Sequence, residues 1–236
     1  MTTTTDTTDR IKWDNSELKF FARFDGPYSL DDIELGNHPL RKIIERQFEY
    51  MSRNLYFISA FGRYLLGFAK EAEVVKAEDI ASRTIQNALD AMGKRIAQAE
   101  VLLKGANITD KVFYGKKQSI AVPITSPGAR MYATLLLQTD HFYSLNSQLW
   151  FHGEIDNKTR FANESDARKD VNNVVRGVAS QFLYILKKTR EKDAVVASGV
   201  GDHDEDKLAA NAERMVDEEM TGKPSTAGIE IPAGRA

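Results

Sequence analysis

Lysines and a serine beside a short strand are groups that can meet phosphates and base edges. The sequence holds such a place in YGKKQSIAVPIT, residues 114–125. Ile120, Val122 and Ile124 alternate with Lys117, Ser119 and Ala121, so a strand over 117–124 has one apolar face and one small polar face. Lys116 stands at its start. Lysine suits phosphate oxygens and serine can bond to a base edge. A strand by itself leaves its ladder hydrogen bonds unmade. Its partner is either another strand of this chain, with 18–24 the candidate, or the same strand of a second copy. In the second case the two strands form a ribbon of the kind that lies in the major groove of duplex DNA. Arg130, on the first turn of the helix that follows, is placed for either base or phosphate. A second cluster, Lys158, Thr159, Arg160, Asn163 and Ser165, lies in HGEIDNKTRFANES, which reads as a loop before a helix at 166. Free N–H groups at a helix start, with positive charge beside them, make a phosphate site. Ordinary strand pairing and ordinary helix capping are the plain alternatives for the two clusters.

The search for catalytic chemistry is negative. Cysteine is absent, which removes disulfides, thiolate metal sites and a cysteine nucleophile. There is no Gly-rich phosphate loop, no G-x-S-x-G elbow and no H-E-x-x-H pair. His141 and His152 lie on one predicted helix, roughly 16 Å apart at about 1.5 Å per residue, too far to share an ion. Asp166 and Asp170 sit near a predicted helix start and suit its dipole better than acid–base work. The expectation is therefore a binding protein and not an enzyme, with no metal, no cofactor and no small-molecule substrate.

The elements that must carry these residues are mostly helical. Leu40, Ile44, Phe48, Met51, Leu55, Ile58 and Leu65 keep a three-or-four spacing that predicts a helix from Asn37 to about Ala69. Asn37 is its expected cap, with Pro39 in the first turn. Ile85, Leu89, Met92, Ile96, Ala99 and Leu103 predict a second helix over 77–103, and a short connection favours an antiparallel hairpin. Ser126-Pro127 reads as cap and first position of a third helix, 127–151, whose apolar set is Tyr132, Leu135, Leu136, Phe142, Leu145 and Leu149. Val171, Val174, Val175, Val178, Phe182, Ile185 and Leu186 predict a fourth helix over 166–188. Leu18, Phe20, Ala22 and Phe24 alternate in a second candidate strand that Asp25-Gly26-Pro27 ends. The fold class is mainly α, long helical hairpins with one or two short strands.

Composition agrees with one soluble domain. The chain has 236 residues, 42% hydrophobic and 28% charged, enough apolar material for a core. No stretch is apolar for long enough to span a bilayer, and the start MTTTTDTTDR lacks the regions of a signal peptide, so a cytoplasmic location is expected. Net charge is −2, but residues 199–236 hold nine acids and four bases, while 116–190 hold eleven bases and six acids. Residues 1–15 read as a disordered start, 16–190 as the domain and 199–236 as a disordered acidic tail.

Three stretches carry a resemblance: SELKFFARF near the start, AEDIASRTIQNALDAM in the second helix, and IAVPITSPGARMYATLLLQTDHFYSLNSQLWFHGEI. The junction V-x-I-x-S-P leading into YATLLLQTD is the most specific part. Over about 16–190 the chain resembles the AcaB-like transcriptional regulators of conjugative plasmids and integrative conjugative elements. The resemblance implies a DNA-binding activator of conjugative transfer genes, a homodimer on duplex DNA, with a core related to ribbon-helix-helix regulators over 116–190. It implies that 117–124 is the ribbon, 127–151 and 166–188 its two helices and 158–165 the phosphate loop; the residues expected to face bases are then Lys116, Lys117 and Ser119, and those expected to face phosphates Lys158, Arg160 and Ser165. The other candidate ribbon is LKFFARF, which turns Lys19 and Arg23 outward together with Phe21. A different class of function also fits long amphipathic helices: a structural or adaptor protein of a mobile-element system, working through protein contacts.

Overall fold

A computed structural model of the chain describes residues 26–66, 71–110 and 118–196. The chain divides into two units, Met1–Lys192 and Asp193–Ala236, and all that follows concerns the first. The strand needing a partner finds it within the chain. β2 (Gln118–Ile124) pairs antiparallel with β1 (Ser29–Leu35), Ile33 opposite Ile120 and Asp31 opposite Val122. Ile33, Leu35, Ile120 and Val122 are buried and form the inward face. Within the chain the partner of β2 is β1, and the candidate partner 18–24 lies outside the described residues. β1 escapes a sequence reading because Asp31-Asp32 breaks a run that is otherwise Leu, Ile and Leu, and aspartate is depleted in strands. Pro123, which has no N–H to give to the ladder, lies one residue from the end of β2, and side chains hold that end. Ser52 Oγ donates to the Pro123 carbonyl at 2.9 Å, and Thr125 Oγ1 donates to the Ser52 carbonyl at 2.8 Å.

Helix α1 runs through 38–66 without a break, but not with one pitch. Ile44–Phe48 and Phe57–Phe61 are π turns, in which hydrogen bonds reach one residue further back. Leu40, Ile44, Phe48, Met51, Leu55 and Ile58 are all buried, so the predicted stripe holds through both turns. Its expected side-chain cap is not made: Asn37 makes no capping bond. The Asp140 carboxylate instead accepts the N–H groups of Gly36 at 3.1 Å and Asn37 at 2.8 Å, which pins the entrance of α1 onto the third helix.

Helix α2 (Glu71–Gly105) starts before the predicted position because Val74, Ala77 and Ala81 extend its buried row. Helix α3 (Pro127–Phe151) begins where the sequence placed it, with the Ser126 hydroxyl accepting the Ala129 N–H at 3.2 Å. All six of its predicted apolar residues are buried. Helix α4 (Asn157–Val196) is the largest departure, since its start falls nine residues before the predicted one. It doubles back antiparallel to α3 and α2. Asp170 meets Arg95 at 2.7 Å, and Tyr184 bonds to Glu73 further back along α2. α4 also reaches α1, where Phe182 meets Phe57 edge to face at 4.8 Å. Close approach needs small residues here. A Cβ on Gly177 would lie 2.9 Å from Thr84 Cγ2, and one on Gly62 would lie 3.2 Å from Ile185 Cγ2.

Candidate nucleic-acid interface

The sheet and the start of α4 hold the residues that the sequence singles out. Lys116 and Lys117 lie outside the described residues, as do Lys19 and Arg23 of the other candidate strand. Ser119 is half-buried on the outward face of β2. The antiparallel register sets Glu34 across from Ser119, Asp32 across from Ala121 and Leu30 across from Pro123. Among the described residues this face carries two carboxylates and no Lys or Arg, a poor match for a groove lined by phosphates. Arg130 is on the first turn of α3, but its guanidinium bonds to Asp31 at 2.6 Å and to Ser29 Oγ at 3.4 Å. It ties β1 to α3. The pair is largely exposed, so its stabilisation is small, at most about 1 kcal/mol.

The second cluster is not a loop. Residues 158–165 are the first two turns of α4, and the reason lies in what clamps them. Asp156 caps the helix: its carboxylate accepts the Thr159 N–H at 2.8 Å. The Thr159 side chain, first, and its N–H hold the Asp156 carboxyl below the usual aspartate range. The helix N-terminus expected to receive a phosphate thus already holds an anion of its own. Arg160 is used internally. Its Nε meets Glu164 Oε1 at 3.0 Å, both side chains being mostly covered, and its guanidinium lies 4.6 Å from the centre of the Trp150 ring. Asn146 donates to the Arg160 carbonyl at 3.0 Å, and the Tyr143 hydroxyl donates to the Glu164 carbonyl at 2.8 Å. These bonds hold polar residues in a helix that apolar spacing does not announce. The turn before them is closed by Gly153 at φ 81°, which only glycine adopts freely.

Lys158 is exposed and Ser165 half-buried, and by helical period both lie opposite the buried row of α4. They share the outer side of α4 with Arg168, Lys169, Arg176, Lys187 and Arg190, all exposed. Sequence reasoning passed over these five. The signal was available: between Val171 and Arg190 there are four bases and no acid. So the structure gathers Lys158 and Ser165 on one basic face, leaves Arg160 beneath it, ties Arg130 of α3 to β1, and sets Ser119 on the sheet. Among the described residues no three His, Cys, Asp or Glu side chains gather as a metal site would require, and no helix is long and apolar enough to cross a membrane.

A small antiparallel sheet leading through a proline junction into two long antiparallel helices, with a second pair of helices packed on them, defines a mainly α fold with a sheet at one edge. That fold is found in a solved protein. The crystal structure of selenomethionine-containing AcaB from uropathogenic E. coli matches with a TM-score of 0.66, over 80% of this chain and 99% of that one, at 18% identity. At that identity the likeness establishes the shared fold. No family model matches the chain, and no curated protein matches it.

Proposed function

We propose that this chain is a DNA-binding transcriptional regulator of conjugative or related mobile-element genes, acting on duplex DNA as a homodimer and activating transcription. The observation that carries the reading is the fold shared with AcaB across nearly the whole of that protein. The V-x-I-x-S-P junction at Val122–Pro127 supports it from the sequence side, because it lies where β2 gives way to α3. The reading needs no catalytic group and no cofactor. Two surfaces are open to DNA on it: the sheet, which Lys116 and Lys117 immediately precede, and the outer side of α4. The test is fluorescence anisotropy with pooled duplex fragments from the genetic element, at low and moderate salt. Saturable binding that prefers some fragments and weakens steeply with salt supports the reading. No binding at either salt contradicts it.

A second reading has an observation of its own. Phe151 is 71% exposed and Phe161 61% exposed at the α3–α4 turn, beside a partly exposed Trp150. Clustered aromatic residues in solvent suit a protein partner. An adaptor role through this turn predicts association that is insensitive to salt.

A further inference from the structure

The outer face of α4 has the spacing, charge and exposure of a backbone-tracking surface, and we infer that it is where this protein holds the phosphates of duplex DNA. The inference rests on the DNA-binding reading above and assigns that reading its residues. Lys158, Lys169, Arg176 and Lys187 follow one another at intervals of eleven, seven and eleven. Each interval is close to a whole number of turns at about 3.6 residues per turn, so the four side chains stay on one side of the helix. Arg168 and Arg190 flank the row. The opposite side is the buried one, with Ala167, Val171, Val174, Val178 and Ile185, which fixes the row outward.

One cation of the row, Lys169, is partnered on this face, and the others keep their charge among the described residues. Asp166 is paired with Lys169 at 2.9 Å, and Asp170 is turned inward to Arg95. Beyond them, up to Arg190, the sequence supplies no acid. Arg168, Arg176, Lys187 and Arg190 form no ion pair with another described residue. Solvation is one use of such a row, but solvated faces usually carry both signs, as α2 does with Arg83 beside Asp79 and Arg63 of α1 beside Glu78. A face of one sign raises the local potential and attracts a polyanion.

The dimensions suit a duplex. At about 1.5 Å per residue, Lys169 and Arg176 are roughly 10 Å apart along the axis, near the width of a major groove at about 12 Å. The whole row, Lys158 to Lys187, extends for roughly 44 Å, longer than one turn of the double helix at about 34 Å. Two cations can therefore bracket a groove while others meet the backbone on either side. Phosphate contacts from this row contribute affinity and register and do not by themselves choose a sequence.

The test is the salt dependence of duplex binding by the full chain. Arg176→Gln with Lys187→Gln should weaken binding about tenfold or more and flatten the log–log salt slope by about 1.8, at roughly 0.9 for each lost phosphate contact. Both residues are exposed, so the helical circular dichroism should not change. Lys94→Gln with Lys104→Gln, exposed on α2, removes the same charge and should leave the slope as it was. An unchanged slope in the α4 variant, with a flattened one in Lys116→Ala with Lys117→Ala, would overturn the inference and leave the DNA reading standing. A wild-type chain that binds no duplex would overturn both. Displacement of the duplex by an equal charge of poly-glutamate would overturn the assignment to DNA and mark the face as a site for an acidic protein.

Discussion

β2 and α4 come from one basic stretch of sequence, yet among the described residues the outward face of the sheet carries Asp32 and Glu34 and no Lys or Arg, while the outward face of α4 carries bases. On the sheet, the partner strand decides the sign: β1 brings Asp32 and Glu34 to stand across from Ala121 and Ser119. On α4 no partner intervenes, and the helix's own period sorts its bases outward. A basic run in the sequence is thus a poor guide to the surface where its strand pairs with an acidic one, and a better guide along a long helix. Arg130 belongs to the first case, since it is tied to Asp31, a carboxylate that tertiary structure delivers, whereas Arg160 is tied to Glu164 one turn on in its own helix.

The largest expected effect tests whether α4 is anchored as a rigid rod. Phe182→Ala empties a buried site between α4 and α1 and should cost about 3–5 kcal/mol of stability, read by chemical denaturation. Next in size is the contact at Gly177. Gly177→Ala forces a methyl group to within 2.9 Å of Thr84 and should destabilise the fold by about 1 kcal/mol net. In a Thr84→Ala background the same change should stabilise, because the helix then gains up to about 1 kcal/mol of propensity. A sign that does not reverse would mean that α2 and α4 are not in contact there.

Smaller effects sharpen the contrast between the two faces. Asp32→Asn with Glu34→Gln removes two negative charges from the sheet. If α4 alone meets the DNA, affinity should change by less than about twofold, whereas a sheet seated in the groove would change it severalfold. Arg130→Gln should leave stability within about 1 kcal/mol of the wild type and duplex affinity unchanged, since its partner is Asp31. The smallest effect concerns pH. The Asp156 carboxyl is held low in the folded chain, so its cap is fully present above the ordinary aspartate value of about 3.9 and is lost as pH falls through the lowered one. Amide exchange at the first turn of α4 should rise only in strongly acidic solution, and Asp156→Ala should abolish that step.

Much of this was legible in the sequence, and where it was not the causes are physical. α3 could be read from end to end because Ser126-Pro127 starts it and an unbroken apolar set fills it. The stripe of α1 was legible although its π turns were not, since a π turn displaces the row without deleting a member. β2 was legible by alternation. β1 was hidden by its aspartates, whose place in a strand depends on Arg130 and on the pairing with β2. The first turns of α4 were hidden because they are held by Asn146 and Tyr143 bonding to carbonyls, a tertiary arrangement that leaves no period. For the site, reading basic residues near a strand and a loop found Lys158 and Ser165 but credited them to the wrong element. The helical row to which they belong appears once α4 is given its full length.

The most direct test of the central claim places a photo-crosslinking benzoylphenylalanine at Arg176 in one protein and at Asp32 in another, each bound to labelled duplex. The two positions are both exposed, one on each face. The account predicts a covalent DNA adduct from position 176 and none from position 32. An adduct from position 32 with none from position 176 would contradict it and put the DNA on the sheet.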